Sequence, residues 1–212
     1  MSLAACVPDP GIYGPSPYPP NRPPMTGTPV KPKPVPPRPG QQNAAGQFFE
    51  TLRGYCGMAF EGRVVSDDPE DAALRRERLV LDIRRCSTRE IRMPFSQGAN
   101  RSRTWVLTRK GGGLSLKHDH RTRTGRPEAM TMYGGDTIDG GSPTRQEFPA
   151  DNYSAELFFQ RQRPESAQNI WALEIVPGRA VAYELRRTGR FLRVEFDLTR
   201  PLGPQPPPWG QR

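Results

Sequence analysis

Histidine is nearly absent: there are 2 in 212 residues, His118 and His120. Both lie far in sequence from the 3 cysteines, so nothing marks a thiol as an activated nucleophile. The cysteines lack zinc-finger spacing. No window approaches the roughly 18 consecutive apolar residues of a membrane-crossing helix. No G-x-S-x-G elbow, Walker loop or dinucleotide fingerprint occurs. The aromatic and glycine pattern of an RNA-recognition motif is missing too, as is helix-turn-helix periodicity, so nucleic acid is not an expected partner. No enzymatic activity is indicated by motif.

Proline is abundant and unevenly placed. Of 26 prolines, fourteen fall in residues 1–40, five in 201–212 and seven between. Hydrophobic content is only 34%, yet the middle keeps regular apolar patterns. The expected organisation is a disordered proline-rich arm over 1–45, one domain over 46–200, and a disordered proline-rich tail over 201–212. The arm can serve as an extended spacer reaching on the order of 100 Å, or, more weakly, as a ligand for SH3-like domains. Net charge is +9, with +3 in residues 1–40, +5 in 41–200 and +1 at Arg212. A basic surface suits nucleic acid, anionic lipid or wall polymer, but a solvated arginine-rich face explains it more simply.

Within 46–200, a short helix at 46–53 would place Phe48, Phe49 and Leu52 on one face. About ten short strands follow, separated by turn signals such as Gly111-Gly112-Gly113, Thr124-Gly125 and Thr188-Gly189. The fold class is therefore all-β, an antiparallel barrel or sandwich. Two-residue turns suggest registers. A turn at Lys110-Gly111 sets Leu107 against Leu114, Trp105 against Leu116 and Arg103 against His118. A turn at Thr124-Gly125 sets Leu116 against Tyr133 and His118 against Thr131. One at Thr188-Gly189 sets Leu185 against Leu192 and Glu184 against Arg193. If Arg63 faces Leu79, Cys56 faces Cys86, permitting a disulfide worth about 3–4 kcal/mol in the chain-entropy model. Two buried free thiols are the other reading.

Arg103, Trp105, Leu116, His118, His120, Thr131 and Tyr133 gather in this scheme as a candidate ligand-binding set, apolar in its body and cationic at one end. It suits a small hydrophobic or amphipathic molecule with an anionic head; solvated rim residues without a role are the simpler reading. His118 and His120 share one side of a strand, with Asp119 opposite. They can chelate a divalent metal only with a third ligand, so no cofactor is expected, with that metal pair as the exception. Asp136, Asp139 and Glu147 lie near a glycine-rich loop, where turn chemistry explains the Asp-Gly step.

Three resemblances add to this. Leu3-Ala4-Ala5-Cys6 resembles the lipobox of bacterial lipoproteins. It implies lipidation of Cys6, a membrane anchor and a cell-envelope, periplasm-facing protein. Val7 after the cysteine implies the outer membrane. Only Met1 and Ser2 precede the box, so that reading expects a start further upstream. Gly112, His118-Asp119-His120, Glu128 and Gly135 resemble a cupin's first motif, with seven residues between His120 and Glu128 where cupins have three or four; this implies a metal-dependent envelope enzyme. The helix and about ten strands are similar in layout to the calycin group, the lipocalin-like and fatty-acid-binding barrels, although Gly54-Tyr55-Cys56 stands where lipocalins have Gly-x-Trp. That layout implies a monomeric ligand-binding barrel, with an envelope structural or interaction module lacking a small ligand as the alternative.

Overall fold

A computed structural model describes residues 44–211 of the chain. Cys6 and the proline-rich arm through residue 43 lie outside the described residues. Helix α1 (Ala44–Arg53) comes first, and its Phe48, Phe49 and Leu52 are fully buried. Their spacing puts them on one side, as an amphipathic helix requires. Strands β1 (Met58–Val64), β2 (Leu79–Ile83), β3 (Arg85–Cys86), β4 (Glu90–Gln97), β5 (Asn100–Lys110), β6 (Gly113–His120) and β7 (Tyr133–Asp136) follow. After β8 (Arg145–Pro149) comes helix α2 (Asn152–Gln160), then β9 (Ile170–Val176), β10 (Ala180–Arg187) and β11 (Arg190–Leu202). The connection from β1 to β2 holds two 3-10 turns, at Pro69–Asp71 and Leu74–Arg76.

All pairings are antiparallel, in the order β7-β6-β5-β4-β2-β1-β11-β10-β9-β8. β3 continues the line of β2 past Arg84 and also pairs with β4. The first strand meets the last, and the two free edges, β7 and β8, meet at the bridge Gly135↔Ala150. The result is a nearly closed up-and-down barrel of ten strands, the all-β class expected. Closure removes most of the exposed edge that an open sheet presents.

Alternation drives the interior. In β5, Trp105 and Leu107 point in; in β6, Leu114, Leu116 and His118; in β10, Val181 and Tyr183. The apolar ones among them, with the buried face of α1, form one continuous hydrophobic cluster. Phe95 and Tyr183 stack on opposite sides of Trp105, with ring centroids 5.0 and 4.2 Å away. Face-stacked rings of this kind add about 0.5–1.5 kcal/mol per pair beyond area burial.

The Thr188-Gly189 hairpin has the expected register, with Leu185 opposite Leu192 and Glu184 opposite Arg193. The β5–β6 hairpin turns at Gly111-Gly112, so Trp105 faces His118, Leu107 faces Leu116 and Arg103 faces His120. His118 faces Tyr133 in the next pair. Both hairpins are displaced by two residues from the expected registers. A two-residue slip preserves which side chains point inward. Between β1 and β2 the slip is one residue: Gly62, not Arg63, faces Leu79. The Cys56–Cys86 disulfide forms regardless, at a Cα–Cα distance of 6.2 Å. Cys56 sits in the turn before β1 and Cys86 in β3, so neither depends on that ladder.

The tail is also corrected. Pro201 and Leu202 belong to β11, and residues 203–211 lie along the barrel wall, with Pro208 buried. Composition alone could not show the side chains that hold it.

Gly135 packs so tightly that an added Cβ would stand 1.8 Å from the Pro149 carbonyl oxygen. Gly135→Ala is expected to destabilise the fold by about 3 kcal/mol or more, whereas Gly112→Ala, with open space around it, should stay within about 0.5 kcal/mol. Urea titration of both variants checks this. Replacing Cys56 and Cys86 by Ala should cost about 3–4 kcal/mol in the same assay.

Candidate functional site

The inward face of β5, β6 and β7 becomes polar where β5 begins and β6 ends. His118 lies just inside that rim and is 3% exposed. Its Nδ1 is 3.2 Å from the Tyr133 carbonyl oxygen and its Nε2 is 3.0 Å from the Tyr183 hydroxyl. A carbonyl only accepts, so Nδ1 carries the proton and Nε2 accepts from Tyr183. Burial, with a contribution from His120, lowers its pKa to about 3. The ring stacks on Tyr133, with centroids 4.9 Å apart. His118 is a neutral, fully engaged core histidine with no nitrogen left for a metal.

His120 is nearer the solvent. Its Nε2 is 3.1 Å from the Tyr133 hydroxyl and its Nδ1 is 3.8 Å from Glu128 Oε2. Burial first, and the positive charge of Arg103 second, lower its pKa to about 4. Burial raises the Tyr133 phenol to about 12. Arg103 donates to Gln97 Oε1 at 3.1 Å, and among the described residues no carboxylate comes within ion-pair distance of it. Asp119, between the two histidines, turns outward, as expected, and takes both Arg121 (2.7 Å) and Arg92 (3.6 Å).

The loop between β6 and β7 delivers this arrangement. Met132 has φ +58 and donates its backbone N–H to the His118 carbonyl at 2.6 Å. A left-handed methionine costs about 1–2 kcal/mol, and the surrounding hydrogen bonds hold it there. Thr131 accepts from the His120 backbone N–H (2.8 Å) and donates to Asp119 (3.3 Å).

The structure therefore sorts the seven candidate residues. Arg103, His120 and Tyr133 form the rim, with His118 directly beneath. Trp105 and Leu116 are core, and Thr131 is spent on stitching the loop. Where the sequence left the interior undecided, the apolar body of the set is packed with side chains, Trp105 and Leu116 among them. Two surface clefts lie elsewhere. One, of about 720 Å³, opens on the outside beside a bulge of β11, lined by Glu61, Arg63, Arg179 and Asp197 among others. The other lies between Asp67–Pro69 and the turn at Gly189.

Among the described residues, no three His, Cys, Asp or Glu side chains converge as a metal site. The strands run in sequential order rather than in the Greek keys of a jelly roll, so the cupin-like motif does not sit in a cupin fold. Asp136 pairs with Lys110, Asp139 accepts from the Gly141 backbone and Glu147 pairs with Arg145 and Arg186, so these acids do not share a cleft. Tyr183 and Gln97 were missed by the sequence reading, although the alternation Val181-x-Tyr183 in β10 already pointed the tyrosine inward.

No protein-family model, curated protein or solved structure matches this chain.

Both histidines have folded pKa values below the ordinary 6.5. The unfolded chain therefore binds more protons between pH 6.5 and about 4, and stability is complete above 6.5 and falls as pH drops through that window. Urea midpoints measured between pH 7 and 5 should fall with acid, and His118→Gln should flatten that slope by the share of one histidine.

Proposed function

We propose that this chain is a binding module that captures an anionic group of a small molecule at the barrel rim, using Arg103 with His120 and Tyr133. The observation that carries the reading is Arg103. Several half-buried arginines pair with carboxylates, among them Arg92 with Glu90, Arg145 with Glu184 and Arg193 with Glu174; Arg187 meets the Asn169 amide and Arg101 the Pro207 carbonyl, and Arg103 alone of these three stands opposite His120 in the strand pairing. Arg103 meets only the neutral Gln97 amide. A guanidinium held in partial burial without a counter-charge favours an incoming carboxylate or phosphate, which accepts its N–H groups pairwise. The Tyr133 hydroxyl and His120 ring add a second polar edge. The bound molecule lies at the mouth, and any oily part rests on the rim rather than deep inside.

The compartment is part of this proposal. The Cys56–Cys86 disulfide supports an oxidising environment, and Leu3-Ala4-Ala5-Cys6 supports export to the envelope with a lipid on Cys6. The filled interior also favours a second reading, a tethered interaction module that takes no small ligand.

Titration of the full chain with inorganic phosphate and with acetate, followed by NMR of the Arg103, His120 and Tyr133 signals, decides between them. Saturable shifts confined to the rim, weakened about 10-fold or more in Arg103→Ala, support anion capture. No saturable shift leaves the second reading. An anion beside His120 raises that histidine's pKa, so binding takes up protons and should tighten as pH falls from 7 to 5.

A further inference from the structure

The residues from Gly203 to Gln211 form no sheet pairing, yet the barrel grips them at successive points. Arg84 Nη2 donates to the Gln205 carbonyl at 2.5 Å. Arg101 Nη1 donates to the Pro207 carbonyl at 2.9 Å, and the Trp209 backbone N–H returns a bond to the Arg101 carbonyl at 3.0 Å. Pro208 is buried. The Arg123 guanidinium lies 5.4 Å from the centre of the Trp209 ring, within range of a cation–π attraction. Gly210 packs against Gly125, where an added Cβ on either would come within 2.6 Å of the other's Cα.

The barrel side of these contacts is prepared for them. Arg84 is held by Asp82 at 2.8 Å. Val80, Ser102, Thr104 and Val106 point away from the interior and are nonetheless buried. Proline-rich backbone makes no internal hydrogen bonds, so its carbonyls are open to donors from outside. Two arginines aimed at alternate carbonyls, a strip of small buried side chains and a cation for an aromatic ring suit an extended proline-rich strand. The β1–β11 ladder is already complete at Leu202, so the segment beyond it occupies this site as a ligand does. Gly203 joins the two, and nothing lies within 4 Å of where its Cβ would be.

We propose that the outer wall of β2, β4 and β5 is a receptor for an extended proline-rich strand, and that residues 203–211 of a second copy of this chain fill it in trans by exchange about Gly203. The second copy is the occupant because the segment seated there is this chain's own. Exchange keeps every contact and changes only which molecule supplies it. This inference does not depend on the rim site.

The test uses the full chain. Deleting Gly203 and Pro204 shortens the connection so that the strand no longer reaches its place in cis. Native mass spectrometry should then show a dimer, with its dissociation constant at least about tenfold below that of the unaltered chain. A synthetic peptide of residues 203–212 should dissolve that dimer, and Arg101→Ala should weaken both dimer and peptide binding about tenfold or more. A shortened chain that stays monomeric, or a dimer indifferent to the peptide, overturns the proposal. Equal competition by a peptide of residues 31–39 overturns the assignment of occupant. Should the shortened chain fail to fold, the unaltered chain mixed with its isotope-labelled form at high concentration must yield mixed dimers, lost in Trp209→Ala; no mixed dimer overturns it.

Discussion

Gly135 lets β7 approach β8 closely enough to close the barrel, Gly134 lets it approach β6, and much else hangs on that seam. The Ser154 hydroxyl receives the Gly134 N–H at 2.7 Å and donates to the Gly134 carbonyl at 2.8 Å. The same carbonyl accepts from the Asp151 backbone at 3.0 Å. Asp151 in turn caps α2 through the Ser154 N–H and pairs with Lys117 of β6. One seam thus fixes the start of α2 and the start of β7. Tyr133 is the next residue back along the chain, and its carbonyl sets the tautomer of His118. A side chain at either glycine would part the strands and misplace the rim.

The barrel separates three kinds of physics by direction. Inward, aromatic and aliphatic packing fills the space. Outward on β8 to β11, Arg145, Glu174, Glu184 and Arg193 form a linked set of ion pairs. Partial exposure keeps each of these worth little alone, but they neutralise one another and leave that wall without a free charge to recruit a ligand. At the rim, half-buried Arg103 meets the neutral Gln97 amide rather than an acid. A filled barrel is a poor container but a rigid frame, and rigidity is what holds Arg103, His120 and Tyr133 in fixed relation.

Period-two alternation made most of this legible. It oriented Trp105, Leu107, Leu116, His118 and Tyr133 correctly even though two registers slipped, because a slip of two residues does not change face. The disulfide was legible for a partly mistaken reason, since its cysteines flank the ladder rather than belong to it. Helix α2 went unread, although Asp151 as a cap and Ser154, Leu157 and Phe158 at helical spacing carry it. Interior filling was not legible, because the volume inside depends on Tyr183, Trp171 and Phe158 arriving from distant strands and a helix. The tail misled for a related reason: proline density says that a segment cannot hold itself, and is silent on whether arginines elsewhere will hold it.

The claim that the interior is filled, with the chemistry confined to the rim, can be tested by fluorescence titration with a long-chain fatty acid probe that responds to burial. The account predicts no burial response from the probe and no change in the emission of buried Trp105, even where the probe's carboxylate is held at the rim. One-to-one saturable binding that quenches Trp105 would contradict it, for such a probe can fit only if the stacked rings of Phe95, Trp105 and Tyr183 move apart.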